Sequence, residues 1–311
     1  MEHTEQIQEL VKPIREDLQS GAAEIALRAI SVIQTIMTST EFRSADELRQ
    51  TLHATVRELI EAQPAMAPLF HLCNTVLLSV SASKTVAAVL KDCQNALDTF
   101  ERTLCDSVAT IAEKMYELIP PGELVFAYSF SSTVVSSLLA ARARGRYFRV
   151  ACTESRPSFE GRKLAQVLVS GNIEVIHTFD SAMSLVLPNC SAAFMGCDCL
   201  GLPGVVNKVG SYMLALACKE LKIPLYVLSG TEKVVSDDRL FEFERHERPG
   251  EEIWEKIPKG VRVLNHQFEL VPLSLVTGIV TEKGILKERD IERFVKTTTI
   301  HDSLKLEPVT F

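Results

Sequence analysis

Cys152-Thr153-Glu154-Ser155-Arg156-Pro157 closes one short apolar run, Phe148–Cys152, and leads through Gly161-Arg162-Lys163-Leu164-Ala165 into a helical pattern. The same order repeats on both sides of it. Leu124–Tyr128 is a strand candidate followed by a polar turn and a helix over about 134–143. Ile173–His177 is a strand, then Asp180-Ser181-Ala182 and a short helix over about 183–187. Ala192–Met195 is a strand that ends in Gly196-Cys197-Asp198. Asn207-Lys208-Val209-Gly210-Ser211 opens a helix over about 211–221, and Leu225–Leu228 is a strand before Thr231-Glu232-Lys233. Strands alternating with helices imply parallel strands joined by right-handed crossovers. The fold class is therefore α/β, with a Rossmann-like doubly wound parallel sheet. Such a sheet places its ligand outside the carboxyl ends of the strands, where this chain collects its arginines, lysines, glycines, hydroxyls and an aspartate.

Upstream the period changes. Ile7, Leu10, Val11 and Ile14 recur at helical spacing, as do Ala26, Ile30, Ile33 and Ile36. Ser44 with Glu47 three residues later reads as a capping box opening a helix. Pro64 and Pro68 interrupt the pattern, helices resume over about 69–78 and from about Lys84, and a last helix covers about 96–118. Pro120-Pro121-Gly122 stops it. The expected division is an all-helical domain over 1–118 and a Rossmann-like domain over 119–311. Past the last strand, 241–259 reads as a charged loop with partial helix. The runs 264–270 and 274–280 are expected to return the chain to the sheet and a helix.

Of the 311 residues, 46% are hydrophobic and 23% charged, the profile of a soluble globular protein. A net charge of -7 without a long basic run argues against direct nucleic-acid binding. No apolar run approaches the ~20 residues needed to span a bilayer, and Met1-Glu2-His3-Thr4-Glu5-Gln6 is too polar for a secretory signal. A cytoplasmic location is expected. The eight cysteines are scattered through apolar segments and read as buried thiols. Cys197 and Cys199 have no second pair at zinc spacing. The first strand is followed by Ser129-Phe130-Ser131-Ser132, so neither the Gly-x-Gly-x-x-Gly fingerprint nor a Gly-x-x-x-x-Gly-Lys loop is present. No cofactor or metal is expected.

Each candidate has an ordinary alternative. Ser129 and Ser131 offer hydroxyls at a helix start, suited to a phosphate or a sugar hydroxyl. Arg156 and Arg162 bracket the loop after the second strand, and an arginine fork matches a phosphate. The alternative is an exposed arginine paired with Glu154 or Glu160. Asp198 at a strand end can act as acid or base if burial raises its pKa; a lone aspartate there more often caps a helix. Asn207, Lys208, Gly210 and Ser211 form a possible anion cradle, against an ordinary turn with a solvated lysine. Lys233 adds a charge or is merely solvated. Cys152 could be a base or nucleophile if a cationic site lowers its pKa, although a buried cysteine is commoner. Such a set suits a phosphorylated small molecule.

Taken together, Thr153-Glu154-Ser155-Arg156-Pro157, Gly161-Arg162, Asp180-Ser181-Ala182, Gly196-Cys197-Asp198, Asn207-Lys208-Val209-Gly210-Ser211 and Pro224-Leu225-Tyr226-Val227 resemble a known superfamily. Asn265, Phe268-Glu269, Pro272 and Thr281-Glu282-x-Gly284 resemble its C-terminal pattern. The superfamily contains the alpha, beta and delta regulatory subunits of eukaryotic translation initiation factor 2B. It also contains isomerases of ribose 1,5-bisphosphate and of methylthioribose 1-phosphate. The resemblance implies a helical domain, a Rossmann-like domain with a phosphosugar or nucleotide pocket, a homodimer or higher homo-oligomer, and translation-factor partners. It implies, for the isomerases, a cysteine after the first strand and an aspartate in Gly-Ala-Asp. This chain keeps the aspartate as Asp198 but has Ala127 at the cysteine position. Three readings follow. The first is a regulatory binding protein similar to the alpha subunit. The second is an aldose–ketose isomerase using Asp198, with Cys152, Ser129 or Ser131 in place of the thiol. The third is a structural subunit with a degenerate pocket, against which Arg156, Asn207 and Lys208 speak.

Overall fold

Apolar residues at helical spacing bury one face of each N-terminal helix in the computed structural model, which describes residues 2–17, 20–39, 41–64, 66–240 and 247–305. The helices are α1 (Glu2–Arg15), α2 (Ala22–Ser39), α3 (Ala45–Ala62), α4 (Ala67–Val80) and α5 (Val86–Leu118). Ile25, Ala29, Ile33 and Ile36 are the buried stripe of α2; Leu48, Leu52, Val56 and Leu59 are that of α3. Helix α1 packs on α3, and α2 on α4. Ser44 caps α3, its hydroxyl accepting from Glu47 N at 3.1 Å. The Glu47 carboxylate reaches back one residue further than a standard capping box, to Arg43 N at 2.7 Å. Helix α5 is a single 33-residue element. Nothing between Lys84 and Leu118 is glycine or proline, so the break expected near Ala96 has no cause.

After the turn at Pro121-Gly122 come β1 (Leu124–Tyr128), α6 (Ser132–Ala143), β2 (Arg149–Thr153), α7 (Glu160–Ser170), β3 (Glu174–Thr178), α8 (Met183–Val186) and β4 (Ala192–Met195). Then follow β5 (Cys199–Leu200), β6 (Gly204–Lys208), α9 (Ser211–Leu221), β7 (Leu225–Leu228) and α10 (Asp237–Leu240). The last elements are β8 (Phe268–Pro272), β9 (Gly278–Thr281), β10 (Gly284–Leu286) and α11 (Glu288–Thr297). The main sheet runs β10-β9-β7-β4-β1-β2-β3. All its pairings are parallel except β9 with β10. Chain order reverses between β1 and β4, which opens a crevice at their carboxyl ends.

Alternation along the strands separates two cores. Phe126, Tyr128, Ala193, Met195 and Val227 face a layer with Met183, Leu214, Ala215 and Ile291. Val125, Ala127, Val150, Cys152 and Phe194 face the end of α5 with α6 and α7, through Ile111, Met115, Val134, Leu138 and Leu164. Two expectations change past β7. Residues 264–270 do not rejoin the main sheet: β8 pairs antiparallel with β6 in a separate three-stranded sheet, β5-β6-β8. Residues 274–280 hold a short turn and β9; the helix comes later, as α11, where Ile291, Phe294 and Val295 supply a narrow apolar stripe. Part of the expected charged loop, 241–246, lies outside the described residues.

By contact the chain forms two compact units, Met1–Cys105 with Thr297–Phe311, and Asp106–Lys296. No helix of the described residues is long and apolar enough to cross a membrane.

Candidate functional site

Gly161 stands against the end of β2. A Cβ there would meet the Thr153 carbonyl oxygen at 1.7 Å, so only glycine lets α7 begin this close to the strand. Glu160, the first residue of α7, accepts a hydrogen bond from the Ser129 hydroxyl at the end of β1. Its other oxygen lies 3.4 Å from the Lys208 ammonium, which also reaches the Ser158 hydroxyl at 3.2 Å. Lys208 is 3% exposed and Ser129 7%, so this is a charged group held under the surface.

Asp198 follows β4, its N–H donating to the Val206 carbonyl at 2.9 Å. Its carboxyl is pushed up to about 6, chiefly by burial; the charge of Glu160 adds to this, and Lys233 and Lys208 oppose it. Lys233 is buried and donates to the Cys197 carbonyl. The neighbouring Glu232 is also raised, by burial first, with Lys233 opposing and Glu282 adding. A carboxyl poised near neutrality beside ammonium groups and a second carboxylate can accept or give a proton at working pH.

The two arginines differ. Arg162 is committed, its Nε donating to Glu154 at 3.1 Å and its Cζ lying 3.9 Å from the Phe159 ring centre. That is the ordinary alternative for an arginine at a helix start. Arg156 is exposed, 5.0 Å above the same ring, and has no acidic partner for its guanidinium among the described residues. Its loop is fixed by Asp180, whose two oxygens accept from Ser155 N at 2.8 Å and Arg156 N at 2.9 Å. Arg156 lines a cleft of about 300 Å³ with Pro157, Val209, Ile253, Leu264, Asn265 and His266. Thr153 and Ser155, both fully buried, keep hydroxyls without a hydrogen-bond partner among the described residues. Ser129, Ser155 and Phe159 have left-handed φ of 60°, 57° and 57°, and such strain, of order 1–3 kcal/mol each, gathers at functional loops.

The expected cradle at the start of α9 is already filled. Glu269 of β8 accepts from Gly210 N at 2.6 Å and Tyr212 N at 2.7 Å. Ser211 is turned inward, donating to the Lys208 carbonyl at 2.7 Å and accepting from Asn207 Nδ2 at 2.8 Å. Gly210 has a φ of +103°, and a Cβ on it would lie 1.9 Å from the Tyr128 hydroxyl oxygen, which donates to the Val209 carbonyl at 2.6 Å. Asn207, Gly210 and Ser211 therefore build the turn that carries Lys208. Ser131 caps α6, accepting from Val134 N at 3.4 Å. Cys152 is completely buried in the α6–α7 core, 3.3 Å from His177 Nδ1. Burial pushes its thiol up to about 12, the opposite of the lowered pKa a nucleophile needs, and the structure does not bring it to Asp198. Ala127 is likewise fully buried on that face.

The geometry thus joins Ser129 and Lys208 on a residue given no role of its own, Glu160, whose charge reaches Asp198, where Lys233 opposes it. Its signal was its place in the strand-end loop, directly before Gly161-Arg162. Asp180 and Glu269 were quoted only as motif residues, and the structure shows them holding the loop and capping the helix.

The family model described as the initiation factor 2 subunit family matches residues 18–288. A translation initiation factor eIF-2B subunit 2-like protein of Pyrococcus horikoshii is 31% identical over 290 residues, covering 93% of this chain and 99% of its own length. The ribose 1,5-bisphosphate isomerase of Thermococcus kodakarensis is 26% identical over 295 residues, covering 90% and 91%. The crystal structure of the P. horikoshii OT3 translation initiation factor eIF-2B superposes with a TM-score of 0.79 at 29% identity, over 92% of this chain and 99% of that one.

Proposed function

This chain belongs to the initiation factor 2 subunit family, and on that premise we propose that it binds a phosphorylated sugar or nucleoside monophosphate at the carboxyl ends of β1, β2 and β4. The observation that carries the reading is the contrast among the cations. Lys208 and Arg162 have carboxylate partners and Lys233 a carbonyl. Arg156, with none among the described residues, stands on an Asp180-braced loop beside the cleft and the two buried, unpartnered hydroxyls. An anionic group on the ligand would meet its fork.

The role is regulatory in its simplest form. Ala127 stands where the related isomerases are expected to carry cysteine, and Cys152 is a core thiol. Binding would then be read out by protein partners, in a homodimer or higher homo-oligomer, in the cytoplasm, as the resemblance to translation-factor subunits suggests. A second reading, isomerisation of a sugar 1-phosphate, is favoured by one observation, the Asp198 carboxyl near 6.

A thermal-shift panel of sugar phosphates and nucleoside monophosphates tests the shared premise, because a ligand for the folded state raises the melting point. A shift that Arg156→Ala weakens by about tenfold in apparent Kd supports it, since a charged hydrogen bond is worth about 1.5–3 kcal/mol. No shift from any compound favours a structural subunit.

A further inference from the structure

An aldose–ketose exchange needs two proton-transfer groups, and the missing thiol leaves one place empty. We propose that Glu160 fills it, so that Glu160 and Asp198 form a two-carboxylate acid/base pair and the site isomerises a sugar 1-phosphate without a thiol. The inference rests on the sugar-phosphate reading above and takes its second form.

Three observations carry it. Glu160 is bound through Ser129 to the end of β1, the strand that carries Ala127 two residues earlier, so its carboxylate stands at the carboxyl end of that strand. It is oriented by contacts on both oxygens, the Ser129 hydroxyl on one and the Lys208 ammonium on the other, as a positioned general base must be. Asp198 follows β4, the strand paired parallel with β1 at Tyr128 and Met195, so both carboxylates belong to neighbouring strand ends, and the charge of Glu160 reaches Asp198 with the lysines opposing it. Cys152, the other candidate, is withdrawn into the core.

The chemistry balances within the substrate. One carboxylate takes the C2 proton while the bond from C1 to the ring oxygen breaks. The C–H electron pair becomes the C1–C2 double bond of an enol, and the ring oxygen leaves as a hydroxyl after taking a proton. A proton then returns to C1 as the C2 hydroxyl gives up its own, and C2 becomes a ketone. C1 is reduced and C2 oxidised, and no external oxidant or reductant enters. Glu160 and Asp198, each alternating between acid and carboxylate, handle these protons, while Lys208 and Lys233 balance their charge.

The test uses the whole chain with ribose 1,5-bisphosphate and with methylthioribose 1-phosphate in deuterium oxide, followed by proton and phosphorus NMR alongside thermal shift. The expected result is conversion to the ketose with deuterium at C1. Glu160→Gln should keep the ligand-induced thermal shift and lose at least about 100-fold in turnover. Glu160→Asp, which keeps the acid but withdraws it by one methylene, should recover part of the rate. Binding by the native chain without conversion would overturn the proposal and leave the regulatory reading standing. So would conversion that Glu160→Gln leaves within about twofold. No binding by the native chain would overturn the sugar-phosphate reading itself, and this proposal with it.

Discussion

Asp198 links pH to stability. Its carboxyl rises from 3.8 to about 6 in the folded chain because burial disfavours its charge. The folded state therefore holds the proton more tightly than the unfolded one, and stability falls as pH climbs from about 4 through about 6. Above that window the ionised carboxylate costs about 3 kcal/mol, two pKa units at about 1.4 kcal/mol each. Asp198→Asn should accordingly stabilise the protein near pH 8 by up to about that amount and have little effect near pH 4, as urea melts at the two pH values would show. Equal effects at both would mean that the carboxylate is already relieved by Lys233. An ionisable group kept at such a cost is what a working site retains. The strand-end position of Asp198 was readable from the chain. Glu160 was not, because its partners Ser129 and Lys208 are 31 and 48 residues away in sequence, and nearby arginines offered an easier pairing. Cys152 misled for the converse reason: sequence places it at a strand end but does not say which face of the sheet the thiol meets.

The elements that sequence patterning revealed best are those buried on both sides. β1 and β4 are apolar throughout and fully buried, so their runs stand out. β5 has two residues and β10 three, too few for a period. The partner of β6 in β8 arrives some sixty residues later, so no local signal joined them. That small sheet matters, because it carries Glu269 to the start of α9. The carboxylate satisfies two N–H groups that the helix cannot and meets the positive end of its dipole. Glu269→Ala should cost about 1–2 kcal/mol, measured as a lower urea midpoint at unchanged slope. It should also loosen the turn that holds Lys208. At the other junction, Gly161→Ala must push α7 off the Thr153 carbonyl. The expected loss is about 3 kcal/mol or more, with Glu160 drawn away from Ser129. A neutral Gly161→Ala would mean that the helix start is free to slide.

At the scale of the whole chain, the last described segment returns to the unit built from the first residues. Asn74 of α4, 4% exposed, grips it by both ends of its amide: Nδ2 donates to the Thr299 carbonyl and Oδ1 accepts from His301 N, each at 2.8 Å. His53 of α3 and His301 share the Ser303 hydroxyl, at 3.4 and 2.9 Å, with ring centres 5.2 Å apart. The neighbouring Asp302 is paired with Lys305 at 2.6 Å. Burial, and then His301, lower the pKa of His53 below 6.5. A histidine whose folded pKa is depressed contributes stability above its unfolded value and loses it as pH falls through the folded one. The tail contact should therefore weaken as pH falls through the depressed value of His53, where its ring gains charge beside His301. Asn74→Ala leaves two backbone groups of the tail without partners and should cost about 2 kcal/mol at neutral pH. Hydrogen exchange at His301 and Ser303 would read both effects: faster in Asn74→Ala at every pH, and faster in the native chain only on acidification. His53→Gln should remove most of the acid sensitivity while leaving the Asn74 grip in place. If native exchange at those amides, corrected for intrinsic rates, were equal at about pH 8 and about pH 5, the histidine pair would be packing alone, and Asn74 would hold the tail without help.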